Sequence, residues 1–262
     1  MNSSRPLAVV TGASAGIGYE LAKQCAGNGF DLIIAADEPS IMTVTRDFEV
    51  LGARVQAVEA DLATLEGVDE LLDAIDSRPV DALLANAGRG LGKGFLDQDF
   101  DDIRHLIDTN VTGTIYLIQK VARDMVARRA GHILITGSIA GYMPGTYQAV
   151  YNGTKAFIDS FSYALRHELQ DTGVTVTCLM PGATETEFFQ RAHMMDTKIG
   201  TQEKDDPADV ARQGFKAMMK GDGGVITGWQ NKMQVAMSRV LPADAVAERH
   251  RAQAEPGTAA AE

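Results

Sequence analysis

Short apolar runs recur along this chain with a helix-length amphipathic segment between each pair, and no other property of the sequence narrows the fold so far. Runs at 7–11, 31–36, 54–58, 80–84, 132–136, 174–179 and 224–227 have the length and composition of strands. Segments at 17–25, 40–51, 64–75, 99–129, 151–171 and 207–220 carry the helical period, the fourth broken at 109–113 by residues that form helices poorly. Strands joined through long helical crossovers pair in parallel, and a parallel sheet needs helices on both faces. The expected fold is α/β, a doubly wound and mostly parallel sheet of about seven strands in a single domain covering 1–228. Beyond it, 229–253 reads as two amphipathic helical pieces joined at Pro242, and 254–262 as a disordered tail.

Charge and composition exclude several functions. A formal net charge of −11 over 262 residues leaves no basic face for nucleic acid or an anionic membrane. No apolar run is long enough to cross a bilayer, and residues 1–6 lead straight into the first strand without a secretory signal, so a cytoplasmic location is expected. Cys25 and Cys178 form no metal or redox spacing and read as buried, inert thiols.

In a doubly wound sheet, ligands bind outside the carboxyl ends of the strands, so the residues after each strand are read together. After the first come Gly12, Ser14, Gly16, Ile17 and Gly18, a glycine-rich turn opening a helix, suited to a pyrophosphate against free main-chain N–H groups. After the second, Asp37 can accept both hydroxyls of an adenosine ribose and repel a 2′-phosphate, or simply cap the next helix. With no Arg or Lys at 14–15 or 37–38, NAD is favoured over NADP. Asp61 and Leu62 can meet an adenine amino group, or Asp61 can serve a helix N-terminus. Asn86, Ala87 and Gly88 offer small residues that let a cofactor pass. Ser138 can bond a substrate oxygen or cap a turn. Pro181, Gly182, Thr184 and Thr186 can meet a nicotinamide carboxamide or form an ordinary loop. Tyr151 and Lys155 stand one helical turn apart, where an ammonium favours the phenolate and brings a phenol toward acid–base work.

This set, from Thr11-Gly12-x3-Gly16-Ile17-Gly18 through Asn86-Ala87-Gly88, Asn110, Ser138 and Tyr151-x3-Lys155 to Pro181-Gly182-x3-Thr186, resembles the short-chain dehydrogenase/reductase family over about 5–228. The resemblance implies a Rossmann-type domain that binds NAD or NADP and interconverts a carbonyl and an alcohol. It also implies roles: Tyr151 as proton donor or acceptor, Ser138 on the substrate oxygen, Lys155 on the nicotinamide ribose while lowering the Tyr151 pKa, and Asn110 helping to hold a water that links Lys155 to solvent. In the family the acid that selects NAD falls at Ala36 and the NADP-reading Arg at Asp37, which weakens the cofactor inference without reversing it. Ala85 replaces a frequent Asn.

The substrate is expected to be a small carbonyl or alcohol compound under a lid at 187–204. Phe188, Phe189, Met194 and Met195 give that lid an apolar character that suits an apolar substrate, or else pack it on the core; 88–94, rich in glycine, reads as a mobile neighbour of the same mouth. A homodimer or homotetramer is expected, although 229–251 departs from the tail through which many family members form tetramers. Two other readings fit the same motifs: an epimerase or dehydratase that regenerates its cofactor internally, and a sensor that binds the dinucleotide without chemistry.

Overall fold

The computed structural model describes residues 5–259. In chain order these form β1 (Leu7–Thr11), α1 (Gly16–Gly27), β2 (Asp31–Ala36), α2 (Thr45–Glu49), β3 (Val55–Glu59), α3 (Leu65–Ile75), β4 (Ala82–Ala85), α4 (Phe100–Ile107), α5 (Thr114–Arg128), β5 (Gly131–Thr136), α6 (Ala149–Glu168), β6 (Val174–Met180), α7 (Phe188–Arg191), α8 (Lys198–Thr201), α9 (Pro207–Lys220), β7 (Gly224–Ile226), α10 (Trp229–Ser238) and α11 (Ala243–Ala254). The seven strands make one sheet in the order β3-β2-β1-β4-β5-β6-β7. Every pairing is parallel.

Period-two patterning divides the core into two layers. Leu7, Val9, Ile33, Leu83, Ile133 and Val176 face α3, α5 and α6. Their neighbours Ala8, Val10, Leu32, Ile34, Leu84, Leu134 and Leu179 face α1, α2 and α9. Each buried Leu, Ile or Val stabilises the fold by about 1.5–3 kcal/mol over an exposed one, and both faces of the sheet contribute. The chain fills one side of the sheet from β1 to β3 and returns at β4 to build the other, with Val9 opposite both Ile33 and Leu83. That return places a crevice at the β1/β4 strand ends.

Three expectations need correction. The helix read at 40–51 is a 3-10 turn at Pro39–Met42 followed by the short α2. The consecutive β-branched residues Thr43, Val44 and Thr45 lose rotamer freedom in a helix and mark the break. The break read at 109–113 is a π-helical turn, Asp108–Gly113, inside a continuing helix; a Cβ on Gly113 would lie 1.8 Å from the Leu62 carbonyl oxygen. Residues 254–259 are not the disordered tail that was expected. Ala254 is buried with Phe189, Ala192 and Met194, Glu255 accepts the Tyr147 hydroxyl at 2.9 Å, and the Ala259 N–H donates to the Asp196 carbonyl at 3.0 Å. The remainder of that stretch, 260–262, lies outside the described residues. Among the described residues no helix is long and apolar enough to cross a membrane.

Candidate active site

A cavity of about 770 Å³ opens along the carboxyl ends of the strands. All the site residues expected from the sequence line it except Asn110, which stands behind its wall. The size suits a dinucleotide together with a small molecule.

At one end lies the glycine turn after β1. Gly12 and Gly16 have φ of +65° and +57°, the left-handed region where a Cβ is strained. A Cβ on Gly18 would sit 2.0 Å from the Gly12 carbonyl oxygen, which is how closely α1 approaches its own turn. Ala15 gives α1 no side-chain cap, so its first N–H groups remain free for an anion. Thr186 closes over the turn, its methyl group 2.8 Å from where a Gly16 Cβ would lie. Gly18→Ala is therefore expected to weaken dinucleotide binding at least tenfold and to lower stability by about 1–3 kcal/mol; fluorescence titration with NADH and NADPH, beside a thermal melt, checks both.

The turns after β1, β4 and β5 are tied together. Thr11 Oγ1 accepts the N–H groups of Asn86 and Ala87, each at 2.9 Å, and the Asn86 amide donates to the Thr11 carbonyl at 3.1 Å. Thr136 Oγ1 donates to Asn86 Oδ1 at 3.1 Å. Behind this wall the Asn110 amide donates to Arg89 O and Thr154 Oγ1, both at 3.0 Å, and accepts the Arg89 N–H at 2.8 Å. Its side chain clamps the loop after β4 to α6 and has both amide hydrogens committed, so it meets a water only as an acceptor.

The reacting end is built on α6 and the turn after β5. Lys155 Nζ donates to the Thr136 carbonyl at 2.9 Å and stands 5.9 Å from the Tyr151 ring centroid. Ser138 Oγ accepts the Ala140 N–H at 3.1 Å and donates to the Pro181 carbonyl at 3.3 Å, so it both caps its turn and lines the cavity. Tyr151, Lys155 and Ser138 are all buried. The expected lowering of the Tyr151 pKa is absent here: burial pushes the phenol up to about 12, with the nearby Ser138 hydroxyl opposing and the Asp159 charge reinforcing. Burial also pushes Lys155 down, which Asp159 opposes. Tyr151 is thus a protonated acid at neutral pH.

At the opposite end Asp37 follows β2, and Arg89 Nη1 reaches to 3.8 Å from its carboxylate. The same guanidinium lies 3.2 Å from His105 Nε2, which in turn is 3.4 Å from Asp61 Oδ1. Asp61 also accepts the Ala63 N–H at 3.0 Å, in the turn ahead of α3, whose own cap is Thr64. Glu38 pairs with Arg191 from the lid. The sequence reading missed both arginines, because each meets its acid only through the fold.

The lid cluster divides. Phe189 and Met194 are buried in a small core of their own, Phe189 also lining the cavity, Met195 is exposed, and Phe188 lies at the reacting end, its ring 5.1 Å from that of Tyr151. The glycine-rich 88–94 loop is packed rather than free: Cβ atoms at Gly90 and Gly92 would lie 2.4 Å from Phe188 Cζ and 2.5 Å from Met194 Cγ. The far wall comes from the C-terminal helices, as Gln230, Asn231, Gln234, His250 and Gln253. No motif in the sequence announces them. His250 Nδ1 lies 2.9 Å from the Thr146 carbonyl, and burial pushes its pKa down, so the neutral ring donates there and leaves Nε2 as an acceptor. Cys25 and Cys178 are free and buried, with burial pushing both thiols up, as inert thiols require.

Comparison with known proteins identifies the family. Residues 6–196 match the family model described as short chain dehydrogenase. An uncharacterized oxidoreductase from Myxococcus xanthus is 32% identical over 255 residues, 93% of this chain and 97% of that protein. An NADP-dependent 3-hydroxy acid dehydrogenase from Salmonella typhi is 35% identical over 186 residues, 70% of this chain and 74% of that protein. Among solved structures, a short-chain dehydrogenase from Sphingobium yanoikuyae in complex with NADPH superposes with a TM-score of 0.80 at 26% identity, covering 90% of this chain and 94% of that one.

Proposed function

The chain belongs to the short-chain dehydrogenase family and is an NAD(P)-dependent oxidoreductase, and we propose on that premise that it interconverts a ketone or aldehyde and an alcohol at Tyr151. The observation that supports this most is the convergence of a buried phenol, hydroxyl and ammonium at one end of a cavity whose other end is a glycine turn with free N–H groups. The residues present fit a dinucleotide: the glycine turn takes the pyrophosphate, Asp37 the adenosine ribose, and Lys155 the second ribose. When bound, the nicotinamide supplies or accepts hydride. Ser138 and Tyr151 orient the substrate oxygen. Tyr151 delivers its phenolic proton to that oxygen as a carbonyl is reduced, or receives the proton from an alcohol in reverse. Lys155, one turn away, serves the reaction through the second ribose. Phe188 keeps water from the reacting end.

The cofactor reading is NAD, carried by Asp37 at the end of β2. Arg89, 3.8 Å from that acid, supports a second reading: freed from Asp37, it becomes the cation that reads a 2′-phosphate. Asp37→Ala is expected to raise NADPH affinity about tenfold or more while weakening NADH, followed by cofactor fluorescence. Wild type binding NADPH more tightly than NADH would overturn the NAD reading, and Arg89→Ala would then abolish that preference.

A further inference from the structure

We propose that Asp159 is a positioning residue, holding Ser138 in register and supplying the counter-charge of Lys155, and that protonation of its carboxyl shuts the site down in mild acid. The inference rests on the oxidoreductase reading above.

Asp159 follows Lys155 by one turn and Tyr151 by two on the same face of α6. It is 5% exposed. Its Oδ1 accepts the Ser138 N–H at 3.2 Å and the Cys178 thiol at 3.5 Å, while Oδ2 is buried with no partner. The surrounding chain makes room for it. A Cβ on Gly137 would lie 1.8 Å from Oδ1, and one on Gly141 2.3 Å from Oδ2. A carboxylate with an unpartnered oxygen is costly to bury, and a neutral side chain would fill the space more cheaply. Its charge is best accounted for by what it faces: Lys155 and Tyr151 on its own helix, with Tyr163 further along, Tyr142 on the turn after β5, and Cys178 on β6. Of these Lys155 is the single cation, and burial holds the tyrosines and the thiol protonated. Burial likewise pushes Asp159 up to about 6, with Lys155 and the Ser138 N–H opposing. Loss of that proton-free form weakens the acceptor that fixes Ser138 and strips Lys155 of its counter-charge together.

The test is the pH profile of kcat and kcat/KM from pH 5 to 9, with NADH and NADPH and two activated carbonyl probes, 2,3-butanedione and phenanthrenequinone. For wild type, both parameters are expected to fall about tenfold from pH 7.5 to pH 5, as one group of pKa about 6 requires. In Asp159→Asn this acid fall disappears, whatever the height of the plateau. If that variant does not fold, Gly137→Ser with Asp159→Ala places an uncharged hydroxyl near the lost Oδ1, and the fall should be absent there too. Persistence of the fall in the folded variant overturns the inference. Carbon-13 titration of the Asp159 carboxyl, which needs no substrate, overturns it independently by a midpoint below pH 5. Tyr151→Phe measured alongside separates the two readings: activity there sinks the role of Tyr151, whereas an inactive Tyr151→Phe beside an unchanged Asp159→Asn profile sinks only this inference.

Discussion

Tyr151→Phe lowers turnover by about two to four orders of magnitude and leaves dinucleotide affinity nearly unchanged. The ring stays packed against Phe188, so the lid keeps its seat. Only the hydroxyl is lost, and with it the group placed to give a proton to a substrate oxygen. Because burial holds the phenol up to about 12, the wild-type residue is in its acid form throughout the neutral range. Reduction of a carbonyl is therefore expected to need no prior ionisation of Tyr151, and oxidation of an alcohol to accelerate as pH rises. Initial rates in both directions on wild type and variant, with cofactor fluorescence for binding, check each statement. Equal rates in the two proteins would remove Tyr151 from the chemistry.

Asp159→Asn raises stability at pH 7.5 by about 3 kcal/mol, and by much less at pH 4. The size follows from the displacement of the carboxyl from its ordinary 3.8 to about 6, at about 1.4 kcal/mol per unit. The sign follows from proton uptake. A carboxyl whose folded pKa is raised binds its proton more tightly in the native state, so its contribution is fully present below about pH 3.8 and is lost as pH rises through about 6. At pH 7.5 the wild type therefore carries the full cost of a buried charge, and the amide removes it while keeping an oxygen for the Ser138 N–H. Thermal melts should show a gain of several degrees at pH 7.5 that shrinks toward pH 4. A variant less stable than wild type at pH 7.5 contradicts this. A protein that keeps such a charge at a cost in stability, beside a reacting centre, fits the general trade between stability and function.

The sheet was legible because each strand is a short, nearly continuous apolar run set off by helical periodicity, and α9 because Asp206 caps it, Pro207 opens it and Gly221 ends it. The 40–51 segment was not, since its apolar spacing fits a helix while Thr43, Val44 and Thr45 interrupt one. Ser138 was legible as a candidate because it follows a strand end, and Tyr151 and Lys155 because they stand one helical turn apart. Arg89 was not: it reaches Asp37 only because the β4 turn lies across the crevice from β2. Nor was Asp159. An acid four residues after a lysine on a helix is ordinarily a solvated pair, and only the absence of side chains at Gly137 and Gly141 lets this one sink beneath the site.

The most direct test of the account is transfer of deuterium from C4-deuterated NADH and NADPH to a mixture of ketones and aldehydes, read by mass spectrometry of the alcohols formed. Wild type is expected to give alcohols carrying one deuterium, with cofactor oxidised in equal amount, and Tyr151→Phe almost none. Substrate isomerised or dehydrated with the cofactor unchanged, or equal transfer in the two proteins, would contradict it.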